Sequence, residues 1–386
     1  MKKQDKLNIV IAYGGVSCEH DISIITALQI YSKYKSEKYE FHLLYLTKNG
    51  EWIMGRGLDN FGCYRKLDVT KFKRVTFLSG SNFLYEIKKN KLFKMFEVDL
   101  LVNCFHGGSG EDGRFAAFME DCKICTSSSR YKSLGICMDK YLTKMLAIAN
   151  DVSTIDFFCV SKKDWAMSRE RVAQQLLQFD FPVVVKPMCQ GSSIGVALAL
   201  NYDEFVSAAT IAFNYDDSII VERAILKKRE FNCCLLKMPS GEIVAKLDEP
   251  VSDKVVIGFS DKYLAGSSSA KALKFRSKTF MTGNVGMQNQ QRKTNSLISG
   301  KLKSLLIKNS KLLYECLDMN GVVRMDYIYD QESGNMYLGE INAVPGSLGY
   351  YFFDGIDLID SLYKSSHSYW DLVFGLKTDS APTIFG

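Results

Sequence analysis

Two short segments near the C-terminus, Val322 to Asp330 (VVRMDYIYD) and Asn335 to Gly346 (NMYLGEINAVPG), alternate polar and apolar residues. A period of two is the signature of a strand whose side chains point to opposite faces. Gln331-Glu332-Ser333-Gly334 between them predicts a hairpin turn. Arg324 and Asp326 then share one face of the first strand, and Glu340 and Asn342 share one face of the second. If the strands pair, two carboxylates, an amide oxygen and a guanidinium converge on one surface. Hard oxygen ligands of this kind suit Mg²⁺, which commonly brings nucleotide phosphates with it. A charged, solvated face of an exposed hairpin is the other reading, because any half-buried antiparallel sheet alternates in this way.

The rest of the chain must provide the surroundings. With 386 residues it is too long for one ordinary core, and two or three domains are expected. Hydrophobic residues at 47% and charged residues at 24% are those of a soluble globular protein. No apolar run reaches the ~18 residues that span a bilayer. The start, MKKQDKLNIVIAYGG, reads as a first strand entering a turn and not as a signal peptide. The net charge of +6 is spread along the chain, and the run KLDVTKFKR has no aromatic-interleaved basic helix beside it, so no nucleic-acid partner is expected. Eleven cysteines, mostly in apolar stretches, fit reduced thiols in a cytoplasmic protein. Cys122 and Cys125 form a C-x-x-C pair without a second pair to complete a zinc site, and are read as structural.

Along the chain, residues 7 to about 128 read as strand, helix, strand, strand, helix: LNIVIAYGG, a helix over Asp21 to Tyr34, EFHLLYLT, VDLLVNCFHGG and a final helix. Next come a helix around Met138 to Ala149, the strand FPVVVKP, the loop Gln190 to Ser193 and a second strand IGVALAL. A helix from Asp203 to about Phe213 and the strand SIIVERAI follow. Beyond these lie a strand at FNCCLLK, an amphipathic helix marked by Leu302 to Leu317 with Gly321 as its C-cap, and the hairpin. The polar stretch 277–296 reads as a surface insertion or mobile loop. The expected division is 1–128, 129–222 and 223–386.

Two further segments carry chemistry. In VVVKPMCQGSSIGVALAL, glycines let backbone N–H groups approach an anion, serines add donors and Lys186 supplies charge. No Gly-Lys-Ser/Thr follows, so it is not a Walker A loop. It joins two strands and opens no helix, so it is not a dinucleotide fingerprint. A Gly-rich hairpin over phosphates or an ordinary turn remains. NCFHGGSGEDGRF leaves a buried strand through His106, glycines, Glu111 and Asp112, at the end where open α/β sheets bind ligands. YGGVSCEHDIS repeats this pattern after the first strand, and its Glu19 can meet an ammonium group.

YGGVSCEHDIS, FHGGSGEDG, MDK at Met138, VVVKPMCQGSSIGV, IIVE at Ile219, DKY at Asp261, RMD and GEINAVPG occur in the order and approximate spacing of D-alanine–D-alanine ligases. The chain resembles that family over nearly its whole length. The resemblance implies an ATP-grasp fold, of α/β class, preceded by a small parallel-sheet α/β domain. It implies ATP and Mg²⁺ (or Mn²⁺), D-alanine as first substrate, no nucleic-acid or membrane partner, and a cytoplasmic homodimer that serves peptidoglycan synthesis. Lys140 and Lys186 would contact ATP phosphates together with Ser193, and Lys262 would close over them from a mobile loop. Glu222 would bind the adenine and Glu230 the ribose. Asp326, Glu340 and Asn342 would hold the metal. Glu19 would hold the first ammonium, linked through Ser192 to Tyr263, with His106 packed nearby. Arg324 and the Gly346 N–H would form an oxyanion hole.

Two segments depart from the family. After Pro345-Gly346 the run is SLGYYFF, so Tyr351 stands where relatives place a serine for the second substrate's carboxylate. IGFS stands upstream of Lys262 where relatives carry another tyrosine. A ligase of D-Ala-D-Ala type is therefore expected first. The alternatives are the same chemistry on another second substrate, a nucleotide-binding homologue that no longer ligates, and a small-molecule kinase on the same fold.

Overall fold

The computed structural model describes residues 6–250, 292–293 and 298–375. Lys262, Tyr263, the Gly/Ser-rich stretch around them and nearly all of 277–296 lie outside the described residues.

The apolar run at the N-terminus becomes strand β1 (Leu7–Gly14). It pairs in parallel with β2 (Tyr39–Leu46) on one side and β7 (Leu100–Asn103) on the other. Both of its faces are covered, which is why it reads as continuous hydrophobics. Ile9, Ile11 and Tyr13 pack with Ile24, Ala27 and Ile30 of helix α1 (His20–Lys33). Val10 and Ala12 pack with Phe115 and Met119 of helix α2 (Arg114–Asp121) on the opposite face. The connections after β1 and β7 thus leave the sheet in opposite directions, and a crevice opens between them at the C-terminal ends of the strands.

Four strands that the sequence reading missed extend this sheet. They are β3 (Trp52–Met54), β4 (Lys73–Leu78), β5 (Ser81–Lys88) and β6 (Lys91–Glu97), joined antiparallel in the order β6-β5-β4-β3-β2-β1-β7. The sheet is therefore parallel only over β2-β1-β7. β6 has no buried residue, so it lacks the apolar run that identifies a core strand.

Two helices follow: α3 (Tyr131–Met138), which the sequence reading missed, and α4 (Lys140–Ala149), where a helix was expected. Asp139 breaks them apart. Its backbone is extended, and its carboxylate caps α4 by accepting from the Leu142 N–H.

The second sheet runs β10-β9-β11-β8, all antiparallel. Its strands are β8 (Phe157–Ser161), β9 (Val183–Pro187), β10 (Ala197–Ala199) and β11 (Ser218–Arg223). Helices α5 (Lys162–Met167), α6 (Arg169–Leu176) and α7 (Tyr202–Ala212) connect them. Val183, Val185, Ile219 and Val221 point into one core with Trp165 and Phe205, each buried aliphatic contributing about 1.5–3 kcal/mol. Alternation sends Val184, Lys186, Ile220 and Glu222 to the other face.

The third sheet runs β14-β13-β12-β15-β16. It comprises β12 (Lys228–Lys237), β13 (Ile243–Pro250), β14 (Arg292–Lys293), β15 (Val322–Asp330) and β16 (Met336–Asn342). β14 lies within the stretch read from sequence as an insertion. The amphipathic helix α8 (Gly300–Cys316) buries Leu306 and Leu313 in the core that also holds Val323, Met325 and Tyr327. It ends earlier than expected. Leu317 is its C-cap, and Gly321 serves another purpose: at φ +72° it lies so close to the Ser127 carbonyl that a Cβ would fall 2.0 Å from the oxygen. Helix α9 (Leu358–Phe374) is the last described element, and no helix among the described residues is long and apolar enough to cross a membrane. All eleven cysteines are free, and Cys122 and Cys125 are buried.

Candidate active site

The hairpin pairs in the register its alternation requires. Arg324 faces Asn342, and Asp326 faces Glu340. A bulge follows: Tyr327 pairs with Leu338, which leaves Gly339 as the extra residue beside Glu340. Bulges of this kind re-aim a side chain at a strand's edge. A Cβ on Gly339 would sit 3.1 Å from the Asp326 carbonyl oxygen, a tight contact that a side chain could take only if the backbone gave way by a few tenths of an ångström.

Arg324 grips Asp326 with two parallel hydrogen bonds, Nε to Oδ1 at 2.6 Å and an Nη to Oδ2 at 2.7 Å. Burial opposes the guanidinium charge, but the Asp326 pair outweighs it, with smaller help from Tyr351 and Glu340, and Arg324 stays charged. The Asn342 amide donates to Asp326 at 3.0 Å and to Glu340 at 3.4 Å. Hydrogen-bond donors thus already sit against both carboxylates, a guanidinium and an amide on Asp326 and the amide on Glu340. Among the described residues no three His, Cys, Asp or Glu side chains gather into a metal cluster. Two carboxylates and an amide fit a hard cation that takes its remaining ligands from phosphate and water.

Glu222 and Lys186 are diagonal neighbours on the cavity face of the second sheet, since Glu222 pairs with Val184 and Ile220 with Lys186. Lys186 Nζ lies 2.6 Å from Glu222 Oε2, and Lys144 Nζ lies 3.1 Å from Oε1. Burial alone would raise the Glu222 carboxyl; the two ammonium groups overcome it and hold the group down at about 2. Lys140 donates to the Gln190 carbonyl at 2.5 Å, anchoring the Gly/Ser-rich turn, and burial lowers its pKa. In that turn Ser192 and Ser193 both adopt positive φ, at 51° and 57°. Glu230 of β12 is held at 2.5 Å by Lys228.

Lys140, Lys186, Glu222, Lys228 and Glu230 line a cleft with about 940 Å³ of empty space between the second and third sheets, with Ile155, Val184, Ile225 and Ile328 as apolar walls and Ser193 at its edge. A smaller cavity of about 370 Å³ adjoins it, and Glu340 lines both. Around the smaller one stand Glu19, His106, Ser192, Arg324 and Gly346.

Glu19 is delivered by the turn after β1. Ser17 receives the Glu19 N–H at 3.0 Å and donates to the His106 carbonyl at 2.7 Å, tying the two crevice loops together. Ser23 likewise bridges the strand ends, accepting from Gly14 N–H and donating to the Cys104 carbonyl. The Glu19 carboxylate, 4% exposed, accepts from the Ser192 hydroxyl. It lies between two glycines: a Cβ on Gly107 or Gly191 would stand 2.7 or 2.9 Å from Glu19 Oε2. His106 is hydrogen-bonded to Thr26 at 2.9 Å, and Glu111 accepts from the Gly107 N–H at 2.7 Å.

Beyond Gly346 the chain makes a left-handed turn. Ser347, Leu348 and Gly349 have φ of 56°, 46° and 55°. Left-handed backbone disfavours side chains, so tertiary contacts must hold it. Ser347 N–H donates to Thr26, and its hydroxyl to Gln29 at 2.6 Å, both on α1. Tyr351 follows, its ring against Phe352 and Tyr350. Tyr350 and Phe352 pack on the main core, and Tyr351 is not among the residues packed there.

Two family models match the chain: one described as D-ala D-ala ligase N-terminus over residues 8–128, the other as D-ala D-ala ligase C-terminus over 146–354. The chain belongs to the D-alanine–D-alanine ligase family. A D-alanine–D-alanine ligase of Thermosipho africanus is 28% identical over 348 residues, covering 90% of this chain and 88% of that one. The crystal structure of the Helicobacter pylori D-alanine–D-alanine ligase superposes with a TM-score of 0.72 at 25% identity, covering 94% of this chain and 98% of that one. The Bacillus anthracis D-alanine–D-alanine ligase complexed with ATP shares the fold, with a TM-score of 0.63 at 20% identity, covering 95% of this chain and 99% of that one. The architecture is the α/β ATP-grasp fold of D-alanine–D-alanine ligases.

The sequence brought Glu19, Ser192, His106, Arg324, Asp326, Glu340, Asn342 and Gly346 into its expectations, and the fold gathers them around the smaller cavity and its border with the cleft. Lys140, Lys186, Ser193, Glu222 and Glu230 line the cleft. Missing from the expectations were Lys144, Lys228 and the Thr26–Gln29 clasp on Ser347. Lys144 had one signal: it follows Lys140 by four residues, yet falls on the buried stripe of α4 with Thr143 and Ala147.

Proposed function

We propose that this chain is an ATP-dependent ligase that joins D-alanine through its carboxyl group to the amine of a second amino acid, as a peptidoglycan precursor. The observation that carries the reading is the shared wall: Glu340 borders both the large cleft and the small cavity that holds Glu19 and Arg324. A nucleotide in the first presents its terminal phosphate to a carboxylate in the second.

The cleft supports ATP in its chemistry. Lys140 and Lys186 face the phosphates with the turn around Ser193, Glu222 the adenine amine and Glu230 the ribose hydroxyls. Asp326, Glu340 and Asn342 would hold Mg²⁺, which when bound spreads the charge of the phosphates. Glu19 pairs with the ammonium of D-alanine, and Ser192 and Gly191 fix its carboxylate. The D-alanine carboxylate oxygen attacks the γ-phosphorus, ADP leaves, and an acyl phosphate forms. The second amine attacks the carbonyl carbon. Arg324 and the Gly346 N–H receive the oxyanion, phosphate departs, and the amine loses its proton to give the dipeptide. Catalysis here is positioning and electrostatics. The reading extends to a homodimeric, cytoplasmic enzyme.

Phosphate release across single and paired D- and L-amino acids, with the product's mass measured, tests this. D-alanine should support turnover and yield a dipeptide. ATP hydrolysis without any dipeptide, or turnover with no amino-acid dependence, would overturn it.

Two residues give sharper outcomes. Glu19→Gln should raise the D-alanine requirement by about ten- to a hundredfold, since a charge-assisted hydrogen bond is worth about 1.5–3 kcal/mol. An unchanged KM, or L-alanine serving equally well, would remove Glu19 from the first subsite. Tyr351 shapes the second. Its ring stands beyond the left-handed turn, and its phenol acts on the Arg324 charge. Specificity is a difference of affinities, and a bulky side chain works by exclusion as well as contact. Tyr351→Ser should shift acceptor preference among D-amino acids while leaving ATP affinity unchanged. A neutral effect on every acceptor would assign the ring to packing alone.

A further inference from the structure

Three lysines crowd one nucleotide-binding wall, and they are not equivalent. Lys140 and Lys186 line the cleft, and the Lys186 side chain is 18% exposed. Lys144 does not line it. Its side chain is 1% exposed and reaches Glu222 from behind, out of α4. There it also donates to the Ile155 carbonyl at 3.3 Å and sits 5.2 Å from the Phe157 ring centroid. The two lysines divide the carboxylate between them, Lys144 on Oε1 and Lys186 on Oε2.

We propose that Lys144 is a positioning residue for the nucleotide: a permanent counter-charge that keeps Glu222 ionised and aimed while Lys186 leaves Glu222 for the phosphates. This rests on the ATP reading of the cleft. A polyanion entering the cleft competes with Glu222 for Lys186, because Lys186 is within its reach. It cannot compete for Lys144, which the protein screens. Without Lys144, the transfer of Lys186 would strand a carboxylate that is 2% exposed, and an uncompensated buried charge is strongly disfavoured. Lys186 would then stay on Glu222, or Glu222 would take up a proton and cease to accept from an adenine amine. The chain thus separates two tasks that one lysine could not perform together. The direction of the Glu222 pKa agrees, since the charges of Lys144 and Lys186 together hold it down against burial.

The test is a cycle of variants in the full chain: Lys144→Met, Glu222→Gln and the two combined. Dissociation constants for ATP and inorganic tripolyphosphate are measured by calorimetry, with melting temperatures alongside. Lys144→Met should weaken ATP by tenfold or more, about 1.4 kcal/mol, and should weaken tripolyphosphate as well because Lys186 is retained by Glu222. In the Glu222→Gln background the same change should cost less than about threefold, because a neutral amide needs no counter-charge. A merely structural Lys144 would lose affinity equally in both backgrounds, and that result overturns the proposal. So does unchanged ATP binding in Lys144→Met. If Lys144→Met alone does not fold, the combined variant should fold and bind ATP as Glu222→Gln does; its failure to fold counts against the proposal. Wild-type protein that binds no ATP, while melting temperatures still couple Lys144 to Glu222, would overturn the nucleotide reading and the release of Lys186 with it, leaving only the ion pair.

Discussion

Glu340→Gln should lower kcat by about 10²–10³ or more while the protein keeps its melting temperature within a few degrees. Glu340 lines both cavities and lies beside the Asn342 amide, opposite Asp326 in the register. A glutamine fits the same space and keeps one oxygen, so the fold has no reason to change. The lost charge is what matters. The proposed cation would keep one carboxylate in place of two, and Lys140 and Lys186, which both feel the Glu340 charge, would lose that attraction. Metal-assisted charge stabilisation is worth several kcal/mol in a transition state, and each 1.36 kcal/mol is tenfold in rate. The measurement is dipeptide formation over a range of Mg²⁺ concentrations. Excess Mg²⁺ should recover part of the rate. A folded variant with the wild-type rate would remove the hairpin from metal binding.

Arg324→Lys should cost about 10²–10³ in kcat with the KM for ATP changed only a few-fold, the usual loss when one oxyanion donor is removed. Lysine keeps a positive charge beside Asp326, so the buried carboxylate is not stranded. What it lacks is the planar fork that makes two parallel bonds to Asp326 and still presents N–H groups to the small cavity. Single-turnover experiments separate the steps. Acyl phosphate formation, read as the rate at which ADP appears in a single turnover, should be far less affected than dipeptide formation followed in the same reaction. Equal loss in both would place Arg324 with the first step, and an unchanged rate would remove it from catalysis.

Much of the site was legible because strand periodicity writes geometry directly into sequence. Arg324, Asp326, Glu340 and Asn342 are two apart along their strands, and a hairpin leaves only their cross-strand register open. The structure closes it with Arg324 opposite Asn342. Lys186 and Glu222 end the apolar runs VVV and IIV, which do not alternate; Lys186 was legible from the Gly/Ser-rich segment beside it, and Glu222 only from the resemblance. The resemblance to D-alanine–D-alanine ligases added the roles, which no periodicity could supply. β3 was missed because it is only three residues long, and β4 to β6 because their burial comes from neighbours and not from an apolar run. β6 is largely exposed and gains its place only by pairing with β5. The helix expected around Met138 to Ala149 starts at Lys140 because Asp139 caps it, and the helix over Tyr131–Met138 before it was not expected.

The sequence by itself determined the polar faces, the buried parallel strand, the Gly/Ser-rich turn and the family. Those depend on interactions within a few residues, or on a pattern of residue types that is shared across relatives. Only the tertiary structure decided that Lys144 belongs to Glu222, seventy-eight positions later, and that Thr26 and Gln29 clasp a left-handed turn more than three hundred residues away. Each of these costs free energy locally: a buried ammonium, a buried carboxylate, non-glycine residues at positive φ. Such choices are stable only where a partner from a distant segment compensates them, and a reading confined to local sequence cannot see that partner.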